Sequence, residues 1–141
     1  MHKKIYVYTA TILNILLLFG LCLTAHAGPG ITDKQAVQCI LGEARSQGYA
    51  EMLGIAEVLR RRGSIRGVYG CGVDFSREMP YIKAKKIDAM AALAWANSAH
   101  TDTAKGATHW EGTAFKTPYW AKNMIKTVTI GKTNFYREGR K

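Results

Sequence analysis

One carboxylate dominates the chemistry that this sequence offers. In Cys39-Ile40-Leu41-Gly42-Glu43-Ala44-Arg45 a single glutamate stands at the edge of an otherwise apolar helical stripe. A carboxylic acid half sheltered by hydrocarbon resists ionisation, and a carboxyl that keeps its proton near neutral pH is equipped to protonate a leaving oxygen, such as that of a glycosidic bond. Taken alone, Glu43 reads equally as a boundary glutamate, solvated and helped by Arg45 or Gln47. The other chemistry-bearing side chains come later. His100, Asp102, His109 and Glu111 are metal-capable and close in sequence, and three such ligands plus water suffice for zinc. Their spacing matches no His-Glu-x-x-His motif, so neither a metal nor a cofactor is expected. Asp102 and Glu111 are also the candidates for a second carboxylate, although Asp102 can equally cap a turn and Glu111 can occupy an exposed strand position.

The elements that must position these groups are legible from periodicity. Thr32 followed by Gln35 fits a capping box, Ala36, Val37, Ile40, Leu41 and Ala44 recur at helical spacing, and Gly48 suits a left-handed stop. Glu43 falls roughly 90° from the middle of that stripe, bordering the core. A second helix is predicted over about 50–62, with Met52, Leu53, Ile55, Ala56, Val58 and Leu59 as its apolar face and Gly63 as its stop. The short turn at Gln47-Gly48-Tyr49 makes the two helices pack antiparallel or at an angle, with the Glu43 end of the first near the start of the second. Arg60-Arg61-Arg62 reads as a solvated helix end, where cations suit the helix dipole.

Residues 63–80 are glycine-rich and irregular, and a loop of that length in a small domain is more often functional or stapled than idle. A third helix is predicted over about 83–99, with Ile87, Met90, Ala91, Leu93, Ala94 and Trp95 inward and Trp95 in the core. Beyond Asp102 the pattern changes. Thr108-His109-Trp110 and residues 127–136 suit short strands, with a turn at Gly131-Lys132, and Pro118 to Met124 suits a short helix with Pro in its first turn. Helices first and a small antiparallel β element last make an α+β fold.

The N-terminus reads as an address. His2, Lys3 and Lys4 precede a mostly apolar run from Ile5 to Leu23, and Ala25-His26-Ala27 supplies a small-x-small cleavage site. Residues 1–27 are therefore expected to be a cleavable secretory signal and residues 28–141 a single domain, secreted or periplasmic, without a stable membrane anchor once cleaved; retention as an anchor is the alternative. Cleavage removes Cys22 and leaves Cys39 and Cys71 in a compartment that permits a disulfide between them; Cys39 as a small buried residue is the other reading. Cleavage also removes Lys3 and Lys4, leaving 18 basic against 10 acidic side chains, a formal charge of +8. Such a surface seeks polyanions. Outside the cytoplasm these are wall and envelope polymers rather than nucleic acid.

Taken in order, Gly42-Glu43-Ala44-Arg45, the apolar helix ending in Val58-Leu59-Arg60-Arg61, Asp74-Phe75-Ser76, Gly106-Ala107-Thr108-His109, Pro118-Tyr119-Trp120-Ala121, Ile130-Gly131 and Phe135-Tyr136-Arg137 resemble the cell-wall hydrolase family that includes the catalytic domain of spore-cortex-lytic enzymes. The resemblance implies a lysozyme-like fold, cleavage of peptidoglycan between N-acetylmuramic acid and N-acetylglucosamine, and Glu43 as the catalytic acid. The sequence departs from the family where Thr133 stands in place of a frequent histidine, and in the loop over 63–72. Thr108, His109, Trp120 and Tyr136 are the residues expected to line a glycan groove, since hydroxyl and imidazole groups bond acetamido and hydroxyl functions while aromatic faces cover sugar rings; Trp120 and Tyr136 as core and His109 as a satisfied strand histidine are the alternatives. No second carboxylate has a comparable motif. This favours a lytic transglycosylase, which manages with one acid, over a hydrolytic muramidase, which needs two. A zinc-dependent wall amidase or peptidase and a non-enzymatic basic protein that binds wall polymer or lipopolysaccharide are the rival readings.

Overall fold

The structure, a computed structural model, describes residues 30–139; the segment read as a secretory signal lies outside the described residues. Four α-helices, α1 (Asp33–Ala44), α2 (Tyr49–Arg62), α3 (Met79–Ala84) and α4 (Ile87–Asn97), precede three strands, β1 (His109–Gly112), β2 (Met124–Ile130) and β3 (Thr133–Glu138). The strands form one antiparallel sheet in the order β1-β3-β2. This is the α+β arrangement expected from the sequence. Among the described residues no helix is long and apolar enough to cross a membrane.

Thr32 and Gln35 form the reciprocal capping box, and Gly63 ends α2 in the left-handed conformation. Gly48 behaves differently from expectation. The chain leaves α1 at Arg45, and Gly48, with φ −86°, is the N-cap of α2 rather than a left-handed stop. The predicted third helix is two: Lys86 adopts φ 56° and breaks the chain between α3 and α4. Turned by this break, α4 buries Ile87, Ala91, Ala94 and Trp95 but leaves Leu93 54% exposed. The expected short helix is a 3-10 turn, Tyr119–Asn123, with Pro118 as its cap.

The organising element is α2, which is buried on all sides from Glu51 to Leu59. Its apolar residues pack the core with Ile31, Ile40 and Phe135. Its two buried glutamates, which periodicity alone does not mark, hold the second half of the chain. Glu57 accepts hydrogen bonds from the Thr103 and Ala104 amides at 2.9 and 2.8 Å and from the Thr103 hydroxyl at 3.1 Å. Glu51 accepts from the Lys132 amide and, at 3.3 Å, from the Thr133 hydroxyl, which fastens the β2–β3 turn. Between them Gly54 lets Phe135 of β3 pack against the helix backbone, since a Cβ there would stand 2.7 Å from the ring. Buried carboxyls are tolerated where such donors satisfy them.

The arginine run is only partly a solvated end: Arg61 is exposed, Arg60 and Arg62 are half-buried, and all three make ties to the rest of the chain. Arg60 lies over the Trp95 ring at 3.9 Å and donates to the Trp95 carbonyl. Arg61 pairs with Asp102 at 2.7 Å and donates to the Ala107 carbonyl, and Arg62 donates to the Arg66 carbonyl. Five-donor guanidinium groups serve here as ties from α2 to α4 and to the loops around it.

Candidate active site

Glu43 leaves the last turn of α1 and enters a cleft of about 670 Å³. The carboxylate is half-buried, and both of its oxygens are held. Oε1 accepts from the Gly70 amide at 2.7 Å and Oε2 from the Trp110 indole nitrogen at 3.1 Å. No cation pairs with it; the ion pairs among the described residues are Arg45–Glu78, Arg61–Asp102 and Lys83–Asp88. The two neighbours that would make Glu43 an ordinary boundary residue are engaged elsewhere. Arg45 forks onto Glu78 at 2.8 and 3.3 Å and lies over Phe75. The Gln47 amide nitrogen turns to Glu51 Oε2 at 3.0 Å and to Thr133 Oγ1 at 3.3 Å. Glu43 is thus oriented by two neutral donors while its outer side faces the cleft.

The Gly70 donor is delivered by the irregular segment after α2. Residues Tyr69–Gly72 form a 3-10 turn that lies on α1 so closely that a Cβ on Gly42 would stand 1.9 Å from the Gly70 carbonyl oxygen. Only two facing glycines permit that approach. Cys71, next to Gly70, is bonded to the buried Cys39 with a Cα–Cα separation of 3.9 Å. Cys39 and Glu43 are four residues apart on one helix face, so the cross-link and the hydrogen bond hold the same turn.

The opposite wall is the edge strand β1, whose four residues all line the cleft. His109 and Trp120 lie together there, their rings 5.3 Å apart. Burial, with the nearby positive charge of Arg62, holds the His109 imidazole below the ordinary histidine value, against a weaker opposite pull from Glu138. Thr108 Oγ1 lies 3.0 Å from its Nδ1. Tyr136 is buried behind Trp120, edge-on at 5.5 Å, and does not line the cleft; nor does Thr108, whose amide is bonded to the Tyr136 carbonyl. Of the four predicted groove residues, then, the structure brings His109 and Trp120 to the cleft and sets Tyr136 and Thr108 behind them as support.

The remaining candidates separate. Asp102 is tied to Arg61 and caps a turn by accepting from the Gly106 amide at 2.7 Å; Glu111 lines the cleft. Among the described residues no group of three His, Cys, Asp or Glu side chains converges as a metal site, so His100, Asp102, His109 and Glu111 do not assemble. Thr133, at the position that departs from the family pattern, is buried and part of the Gln47–Glu51 network. Sequence reasoning missed Trp110, Tyr69 and Phe115, all cleft-lining. For the Gly70 contact the available signal was the Cys39–Cys71 pairing, which carries the Gly70 turn to the helix face bearing Glu43; nothing local marks the Trp110 contact, which comes from β1.

No family model and no curated protein matches the sequence. Among solved structures, the crystal structure of the catalytic domain of the Bacillus cereus SleB protein is similar to this chain, with a TM-score of 0.52 and 20% identity over 74% of this chain and 89% of that one. At that identity the similarity establishes a shared α+β fold, the one implied by the motif order. The likeness to the SleB catalytic domain is one of fold.

Proposed function

We propose that this chain is an exported peptidoglycan glycosidase that cleaves between N-acetylmuramic acid and N-acetylglucosamine, acting as a lytic transglycosylase with Glu43 as acid and then base. The observation that carries the reading is Glu43 itself, held in a cleft by the Gly70 amide and the Trp110 indole and, among the described residues, in no ion pair. The fold shared with the SleB catalytic domain supports it. In the forward step the Glu43 carboxyl gives its proton to the glycosidic oxygen as the C1–O bond of the muramic residue breaks, and the substrate's acetamido oxygen stabilises C1. The Glu43 carboxylate then takes the proton of the muramic 6-hydroxyl while that oxygen bonds to C1, closing a 1,6-anhydro ring and restoring the acid. Neither water nor a second carboxylate is consumed. His109 and Trp120 form the sugar-contacting wall, and Trp120 takes its orientation from Tyr136.

Glu111, on the same cleft, supports the hydrolytic muramidase as a second reading, with Glu111 activating water. The basic surface draws the enzyme to anionic wall polymers in either case. Digestion of purified peptidoglycan followed by mass spectrometry of the released muropeptides separates the readings. Anhydro ends identify the transglycosylase, reducing ends the muramidase, and freed peptides an amidase. Glu43→Gln is expected to keep the fold and glycan binding and to lose turnover, since the amide preserves shape but cannot donate and recover the proton. Near-parental cleavage by that variant removes Glu43 from the mechanism.

A further inference from the structure

Two aromatic side chains on the cleft are left in water by the fold. Tyr69 is 93% exposed and Phe115 71% exposed, and both line the cleft that holds Glu43. An aromatic ring contributes to stability by burying its faces, and these two contribute little of that kind. Their backbones, by contrast, are well fixed. Tyr69 immediately precedes Gly70, whose amide is bonded to Glu43, and Cys71, which is cross-linked to Cys39. Its Cα therefore lies one peptide unit, about 3.8 Å, from that of the residue touching the acid. Phe115 follows β1, its amide bonded to the Gly112 carbonyl, and its ring lies close over Gly112, where a Cβ would stand 3.1 Å from it. Along β1, His109 with Trp120 marks one end of the wall and Gly112 with Phe115 the other, three residues or about 10 Å apart. Trp110, which touches Glu43, lies between them.

We infer that Tyr69 and Phe115 are stacking platforms for sugar rings, making the cleft an extended groove that grips a glycan chain at several rings rather than at the scissile linkage alone. The inference rests on the glycosidase reading and deepens it by naming determinants of substrate length. The pyranose ring presents axial C–H groups on its faces, and an exposed aromatic face carried on a fixed stretch of backbone complements them without needing a hydroxyl. Tyr69, fixed beside the acid, holds a ring next to the scissile bond. Phe115 holds one further along the chain.

The test uses the Glu43→Gln chain, expected to bind without turnover, and peptide-free glycan strands, with affinity measured by calorimetry. Adding Tyr69→Ala or Phe115→Ala is expected to weaken binding about tenfold each. Tyr69→Phe and Tyr69→Trp, which keep a ring, should remain within about threefold. Melting temperatures should not move, because both side chains are exposed. In the active enzyme Phe115→Ala should raise KM for long strands far more than it lowers kcat, with a smaller effect on short oligosaccharides. Equal affinity of the alanine variants and the Glu43→Gln chain overturns the inference while leaving the glycosidase reading intact. Loss of binding in Tyr69→Phe, equal to that in Tyr69→Ala, overturns it in favour of a hydroxyl contact. If the Glu43→Gln chain binds no glycan strand at all, the glycosidase reading fails and takes the inference with it.

Discussion

The Cys39–Cys71 cross-link can be cut by reduction or by the double substitution Cys39→Ala, Cys71→Ala, and the size of the effect follows from the topology. The two residues are separated by 32 positions. For a closed loop of that length the chain-entropy relation gives about 12 cal/mol/K removed from the unfolded ensemble, or about 3.7 kcal/mol at 25 °C. A domain spanning residues 30–139 unfolds with an entropy of about 0.23 kcal/mol/K, at about 2.1 cal/mol/K per residue, so the melting temperature should fall by about 16 °C. The second consequence concerns Glu43. Once untethered, the Tyr69–Gly72 turn is held on α1 by the glycine–glycine contact and the Gly70–Glu43 bond, a hydrogen bond of net worth about 0.5–1.5 kcal/mol. That turn should open well below the melting point, and cleavage should fall before the fold is lost. Calorimetry of the oxidised, reduced and double-alanine proteins gives the first number, and release of dye from labelled sacculi at 20 °C gives the second. A melting shift under about 5 °C would refute the entropic argument. An expected shift with undiminished cleavage at 20 °C would show that the tether stabilises the chain without positioning the acid.

Other expectations follow from single contacts. Trp110→Phe removes the indole donor from Glu43 Oε2 and should lower kcat about tenfold, about 1.4 kcal/mol, with little change in the circular dichroism spectrum; unchanged turnover means that the bond does not orient the acid. Glu57→Ala strands the Thr103 and Ala104 amides and the Thr103 hydroxyl, and urea titration should register a loss of about 2–4 kcal/mol, whereas under 1 kcal/mol would mean that water replaces the carboxyl freely. Because burial and Arg62 hold the His109 imidazole below its ordinary value, the unfolded chain takes up that proton at a higher pH than the folded one. Its contribution to stability is complete above about pH 6.5 and is lost as the pH falls from there through the folded value. His109→Gln should therefore flatten the fall in melting temperature between pH 7.5 and pH 5, and an identical slope in parent and variant would count against it.

Where a signal was local, the sequence was sufficient. The capping box at Thr32, the left-handed Gly63, the hairpin turn at Gly131 and the change from helical to strand periodicity after Asp102 each depend on residues within a few positions of one another. So does the setting of Glu43 at the border of an apolar stripe. The break at Lys86 was hidden because nothing in Lys83-Ala84-Lys85-Lys86-Ile87 marks a left-handed lysine, and the ties made by Glu51, Glu57 and the three arginines were hidden because their partners lie 35 to 82 residues away or at backbone atoms that carry no side-chain signature. The division at the candidate site has the same cause. Helix phase singled out Glu43, while chemical type and motif order singled out Thr108, His109, Trp120 and Tyr136 alike, without separating the two that reach the cleft from the two that do not. Only the tertiary structure could turn Arg45 and Gln47 away from Glu43, bring Gly70 and Trp110 onto it, and put Tyr136 behind the wall rather than on it, because each of those facts is a contact between distant segments, fixed by how closely two backbones approach and by which buried polar groups must find a partner.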